Sequence, residues 1–83
     1  MILVWNEAGG GTARQRAAMA AFYRRFFRPG ELCFDVGANR GNRTAILSDL
    51  GARVIYIEPQ PSCVRELRKR FGRNANVEQP TRL

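Results

Sequence analysis

The chain contains no histidine. That removes Ser-His-Asp and Cys-His catalysis, together with the commonest zinc ligand. Its two cysteines, Cys33 and Cys63, form no C-x-x-C pair, so neither a zinc site nor a redox motif is expected. Packed thiols in a reducing compartment are the simpler reading, and no disulfide is expected. No run of about 18 apolar residues occurs, so no membrane-spanning helix is expected. The apolar start, Met1 to Trp5, follows no basic region and is too short for a signal-peptide core, which makes the cytoplasm the expected compartment. A Gly-Lys-Ser/Thr tripeptide is missing as well, and with it the P-loop. Acidic side chains are scarce: 7 against 14 basic ones, for a net charge of +7.

What is present fits one lean domain. Eighty-three residues bury a small share of their surface and lie near marginal stability. Hydrophobic content of 45% and a charged share of 25% are ordinary for a globular chain. All but one of the basic residues are arginines, which raises a polyanionic partner such as nucleic acid as an alternative function. They are scattered, however, over Arg14, Arg16, Arg24, Arg25 and Arg28, then Arg40 and Arg43, then Arg65, Arg68, Arg70 and Arg73. No aromatic-and-basic platform recurs among them. Most read as solvated helix faces, and no specific nucleic-acid partner is expected.

The order of elements reads α-β-α-β-α-(β). Residues 1–11, with Gly9 to Gly11 at their end, form an expected flexible segment ahead of a domain over 12–83. Thr12 is an N-cap candidate. Residues 13–28 read as a helix whose Ala17, Ala18, Ala21, Phe22 and Phe26 make an apolar stripe, expected to pack in the core. Pro29-Gly30 stops it. Residues 31–36 form a strand with Leu32, Phe34 and Val36 on one face and Cys33 on the other, the two-sided apolarity of a covered parallel sheet. A short helix over 42–50 buries Ala45, Ile46, Leu47 and Leu50, with Gly51 as a left-handed cap. Residues 54–57 are β-branched and aromatic, and strand-like. Ser62 is placed to cap the next helix, where Val64, Leu67 and Phe71 recur and Gly72 ends the run. Residues 76–79 begin a third strand. The class is α/β with parallel pairing and right-handed crossovers.

Two motifs carry the chemistry. Residues 35–44 read Asp-Val-Gly-Ala-Asn-Arg-Gly-Asn-Arg-Thr, and residues 54–59 read Val-Ile-Tyr-Ile-Glu-Pro. A strand ends in Asp35 and opens into a loop whose Gly37, Asn39 and Gly41 tolerate unusual backbone angles. Glu58 ends the next strand, 21 residues after Gly37. A small-residue turn opening a helix, with an acid about 20 residues on, is how βαβ units bind nucleosides. A dinucleotide loop needs G-x-G-x-x-G, but positions 37, 39 and 42 are Gly, Asn and Asn. An NAD-type fragment is therefore a third-ranked alternative. A ribose without phosphates fits better, and S-adenosylmethionine is the common ligand of that kind.

The run "FDVGANRGNRT", then "GARVIYIEPQP", then Leu67 in a basic helix resembles the FkbM-type S-adenosylmethionine-dependent methyltransferases over residues 28–72. That family carries DVGANxGxxT and an EPxP-like second motif. The resemblance implies a Rossmann-like class I methyltransferase fold, present here as an incomplete βαβαβ half with a preceding helix, the amino-terminal part of the domain. It implies S-adenosyl-L-methionine as cofactor, held by Asp35, Gly37, Ala38, Asn39, Gly41, Thr44, Glu58 and Pro59. Asp35 would hold the methionine end, directly or through water, or else accept bonds from loop amides. Glu58 would clamp the ribose, the alternative being a salt bridge to an arginine. Pro59, Gln60 and Pro61 would border the adenine, and Thr44 would bond to the loop's backbone. The implied activity is O-methylation of a small-molecule or glycan hydroxyl. No residue is assigned as the catalytic base. The fold normally continues further and covers the sheet's second face, so this chain is expected to be inactive alone and to self-associate through an exposed sheet face.

Overall fold

The computed structural model describes residues 12–80 and, as backbone, Ile2–Trp5. The elements run β1 (Ile2–Trp5), α1 (Ala13–Tyr23), β2 (Leu32–Val36), α2 (Asn42–Asp49), β3 (Arg53–Ile57), α3 (Pro61–Phe71) and β4 (Val77–Glu78). The four strands form one sheet in the order β1-β2-β3-β4, and every pair is parallel. The α/β class and parallel pairing expected from the sequence are present. Consecutive parallel strands joined by crossovers of one hand put their helices on one side of the sheet.

Burial follows that geometry. Cys33, Val54 and Val77 lie in one row across the strands, and with Tyr56 they meet Leu47 of α2 and Leu67 and Phe71 of α3 in the core. Asp35 faces the same way and is fully buried. Leu32, Phe34, Val36, Ile55 and Ile57 point to the other face, and they are only half-buried.

The start of the chain departs from expectation. In place of a flexible segment, Ile2–Trp5 form a strand parallel to β2. Ile, Val and Trp favour strands, and the edge of β2 offers unpaired backbone groups. The rest of that expectation, over residues 6–11, lies outside the described residues.

Helix α1 departs further. Its N-cap is as expected: Thr12 Oγ1 accepts from the Gln15 amide at 3.0 Å, and Gln15 Oε1 accepts from the Thr12 amide at 3.1 Å, a capping box. The apolar stripe, however, is not core. Ala17, Ala18 and Ala21 are exposed, as are Phe22 and Phe26. The helix ends at Tyr23 rather than Arg28, and tighter bonds from Arg25 and Phe26 to Phe22 and Tyr23 reset the phase. That turn brings Phe27 inward in place of Phe26, while Tyr23 packs against the core from α1. Helix α3 is capped by Gln60 with Pro61 at its first position, so Ser62 lies inside the helix instead of capping it. Proline suits that position because its missing N–H has no helical partner there.

Candidate functional site

Strands β2 and β3 end side by side, and their following loops are stitched together. The Gly37 amide donates to the Ile57 carbonyl at 2.8 Å and the Ala38 amide to the same oxygen at 3.3 Å. The chain then turns through three left-handed positions: Gly37 (φ 72°), Asn39 (φ 57°) and Gly41 (φ 91°). Asn39 is the only non-glycine residue with positive φ among the described residues, and asparagine is a residue that tolerates it.

Glu58 closes the loop from the side of β3. One carboxylate oxygen accepts the Asn39 amide at 2.7 Å, and the other accepts the Gln60 amide at 2.9 Å. The two motifs, far apart in sequence, therefore meet at the carboxyl ends of adjacent strands, where open α/β sheets bind ligands. The arginine salt bridge weighed for Glu58 is replaced by these two amides. A carboxylate offers about four acceptor sites, so the oxygens retain capacity for further donors such as ribose hydroxyls.

Beneath the loop lies a second cluster. Arg43 Nε and Nη2 both donate to Asp35 Oδ1, at 2.8 and 2.5 Å, and Thr44 Oγ1 donates to Asp35 Oδ2 at 2.6 Å. Arg43 Nη2 also reaches the Val36 and Gly37 carbonyls at 3.1 and 3.4 Å. All three side chains are buried. The Tyr23 hydroxyl joins from α1; burial raises its pKa above the ordinary 10.0, opposed by the nearby Arg43. Asp35 and Thr44 thus act on the loop from below: the carboxylate fixes Arg43, and Arg43 holds the loop's first carbonyls. The loop amides weighed as the alternative partners of Asp35, and the loop backbone anticipated for Thr44, are replaced by each other and Arg43.

The eight residues expected from the sequence therefore divide. Gly37, Ala38, Asn39 and Glu58 converge at the strand ends, with Pro59 exposed beside them. Asp35 and Thr44 form the support. Gly41 answers to packing: a Cβ there would come within 2.6 Å of Phe71 Cε2 and 2.9 Å of Leu67 Cδ2. Three contributors were not anticipated. Arg43 was grouped with solvated arginines, yet an acid inside an apolar strand signals the need for such a partner. Tyr23 was outside the expected stripe. Cys63 Sγ lies 3.5 Å from Asn39 Oδ1 and 3.3 Å from Gln60 Oε1, and its place at the start of α3 was the only signal.

Among the described residues no group of three or more His, Cys, Asp or Glu is placed to hold a metal ion. No helix among them is long and apolar enough to cross a membrane. No family model and no curated protein matches the chain.

Proposed function

We propose that this chain is the cofactor-binding part of an S-adenosylmethionine-dependent methyltransferase that acts on hydroxyl groups of small molecules or glycans. One observation carries the reading: the 2.7 Å bond from the Asn39 amide to Glu58. It joins a glycine-containing loop at one strand end to an acid at the next. A phosphate-binding reading is disfavoured by the same bond, because the crest amide of the loop is already directed at a carboxylate and would set a phosphate beside negative charge.

The residues fit a nucleoside with a free ribose. Glu58 would accept the ribose hydroxyls with its remaining lone pairs, and Gly37 and Ala38 would give close approach to backbone. Asn39 would shape the crest. Pro59 and Gln60 would border the base. Bound there, the cofactor supplies an activated methyl group on a sulfonium. The chain's own task is positioning: Arg43 and Asp35 hold the loop in place before a ligand arrives, which would lower the ordering cost of binding.

Calorimetric titration tests this. S-adenosylhomocysteine is expected to bind more tightly than NAD, and Glu58→Ala to abolish binding. Arg68→Ala, on the solvated face of α3, is expected to leave affinity unchanged. Tighter binding of NAD would reverse the assignment.

A further inference from the structure

The clearest mismatch between residue chemistry and environment lies on α1. No residue of Ala13–Tyr23 is buried. Phe22 and Phe26 are the exposed large hydrophobics of the described residues, at 55% and 57%. Their ring centroids are 4.9 Å apart, so the two side chains form one apolar ridge. The segment that carries them holds charge of one sign. Residues 12–30 hold Arg14, Arg16, Arg24, Arg25 and Arg28 and no acid, so most of the net charge of +7 sits on this segment. Arg24, Arg25 and Arg28 are exposed and line a shallow hollow with Phe26. Its one acidic wall, Glu31, already accepts the Arg28 amide at 3.1 Å.

A single exposed phenylalanine is unremarked on protein surfaces. Two in contact, bordered by cations, call for a partner that is apolar inside and anionic outside. Nucleic acid offers anionic phosphates and flat bases, and needs free ring faces to stack on. Here the rings are inclined at 53° to each other, so they do not form the parallel pair of faces on which successive bases stack. A bilayer asks for no such platform. We infer that this surface docks on an anionic membrane, with Phe22 and Phe26 entering the acyl boundary and Arg24, Arg25 and Arg28 meeting headgroup phosphates. The association is peripheral, and its Glu31 side lies at the amino end of β2, at the opposite end of that strand from the Gly37–Glu58 loops.

Co-sedimentation of the full chain with vesicles tests it, using phosphatidylcholine with and without phosphatidylserine. Binding is expected only with the anionic lipid, and it should weaken as salt screens the charges. Phe22→Ser with Phe26→Ser is expected to weaken it at least tenfold, and Arg24→Gln with Arg25→Gln about 30-fold. All four side chains are solvent-exposed, and matching thermal melts would verify that the variants fold. Equal affinity for both vesicle types, or none for either, would overturn the inference. So would a double-Phe variant that binds as well as the parent. Tighter, Phe-dependent binding to a single-stranded oligonucleotide would overturn it in favour of base stacking.

Discussion

Asp35 sits at zero exposure with both carboxylate oxygens engaged by Arg43 and Thr44. Removing one partner of a buried ion pair strands the other, at a cost of about 3–5 kcal/mol. Asp35→Ala is therefore expected to destabilise the chain by about that much in urea unfolding. Arg40→Ala, which loses a pair 3.8 Å long between exposed side chains, is expected to stay within about 0.5 kcal/mol of the parent. Comparable losses for the two variants would refute the supporting role of Asp35. The acid's need for a partner was legible in sequence, because a carboxylate interrupts an apolar strand. Which arginine answers was not, since Arg43 looks like its neighbours until the helix places it eight residues on.

Elements were legible to different degrees for physical reasons. Strands β2 and β3 declare themselves by short apolar runs, two-sided in Leu32 to Phe34 and β-branched and aromatic in Val54 to Ile57, the composition of strands covered on both faces. Helix α1 misleads because alanine and phenylalanine spacing satisfies a helical stripe whether or not anything covers it. The chain packs Tyr23 and Phe27 instead. Glycines at element junctions separate two causes. Gly30 has φ 87° with nothing within 4 Å of a Cβ, whereas Gly41 has φ 91° and faces Phe71 and Leu67. Gly30→Ala is expected to cost only the left-handed backbone term, about 1–2 kcal/mol. Gly41→Ala adds overpacking of about 1–3 kcal/mol. Equal midpoints in thermal unfolding would show that α3 yields to the extra carbon and that Gly41 is a turn glycine alone.

At the scale of the molecule, helices pack on one face of the sheet and the other shows Leu32, Phe34, Val36, Ile55 and Ile57, half-buried. Strands of four, five, five and two residues, rising about 3.3 Å per residue and spaced about 4.8 Å, present a footprint of about 250 Å², well below the roughly 800 Å² per partner of a stable interface. Self-association through this face is thus expected to be weak and concentration-dependent in size-exclusion chromatography, and a tight dimer would contradict it. Stability should also fall in alkali. Burial raises the pKa of Cys33 above 9.0 and those of Tyr23 and Tyr56 above 10.0. The folded chain holds these protons more tightly than the unfolded one. The resulting stabilisation is complete below the unfolded values and is lost as pH rises through the raised ones. Urea midpoints should decline from about pH 9 upward, and a flat profile to pH 11 would contradict the buried placement of these groups.

The central claim is that two distant motifs form one nucleoside crevice at the ends of β2 and β3. Amide chemical shifts recorded while S-adenosylhomocysteine is added test it most directly. The account predicts saturable shifts concentrated at Gly37, Ala38, Asn39, Glu58 and Gln60, with α1 unmoved. No saturable shift, or shifts centred on the arginines of α1, would contradict it.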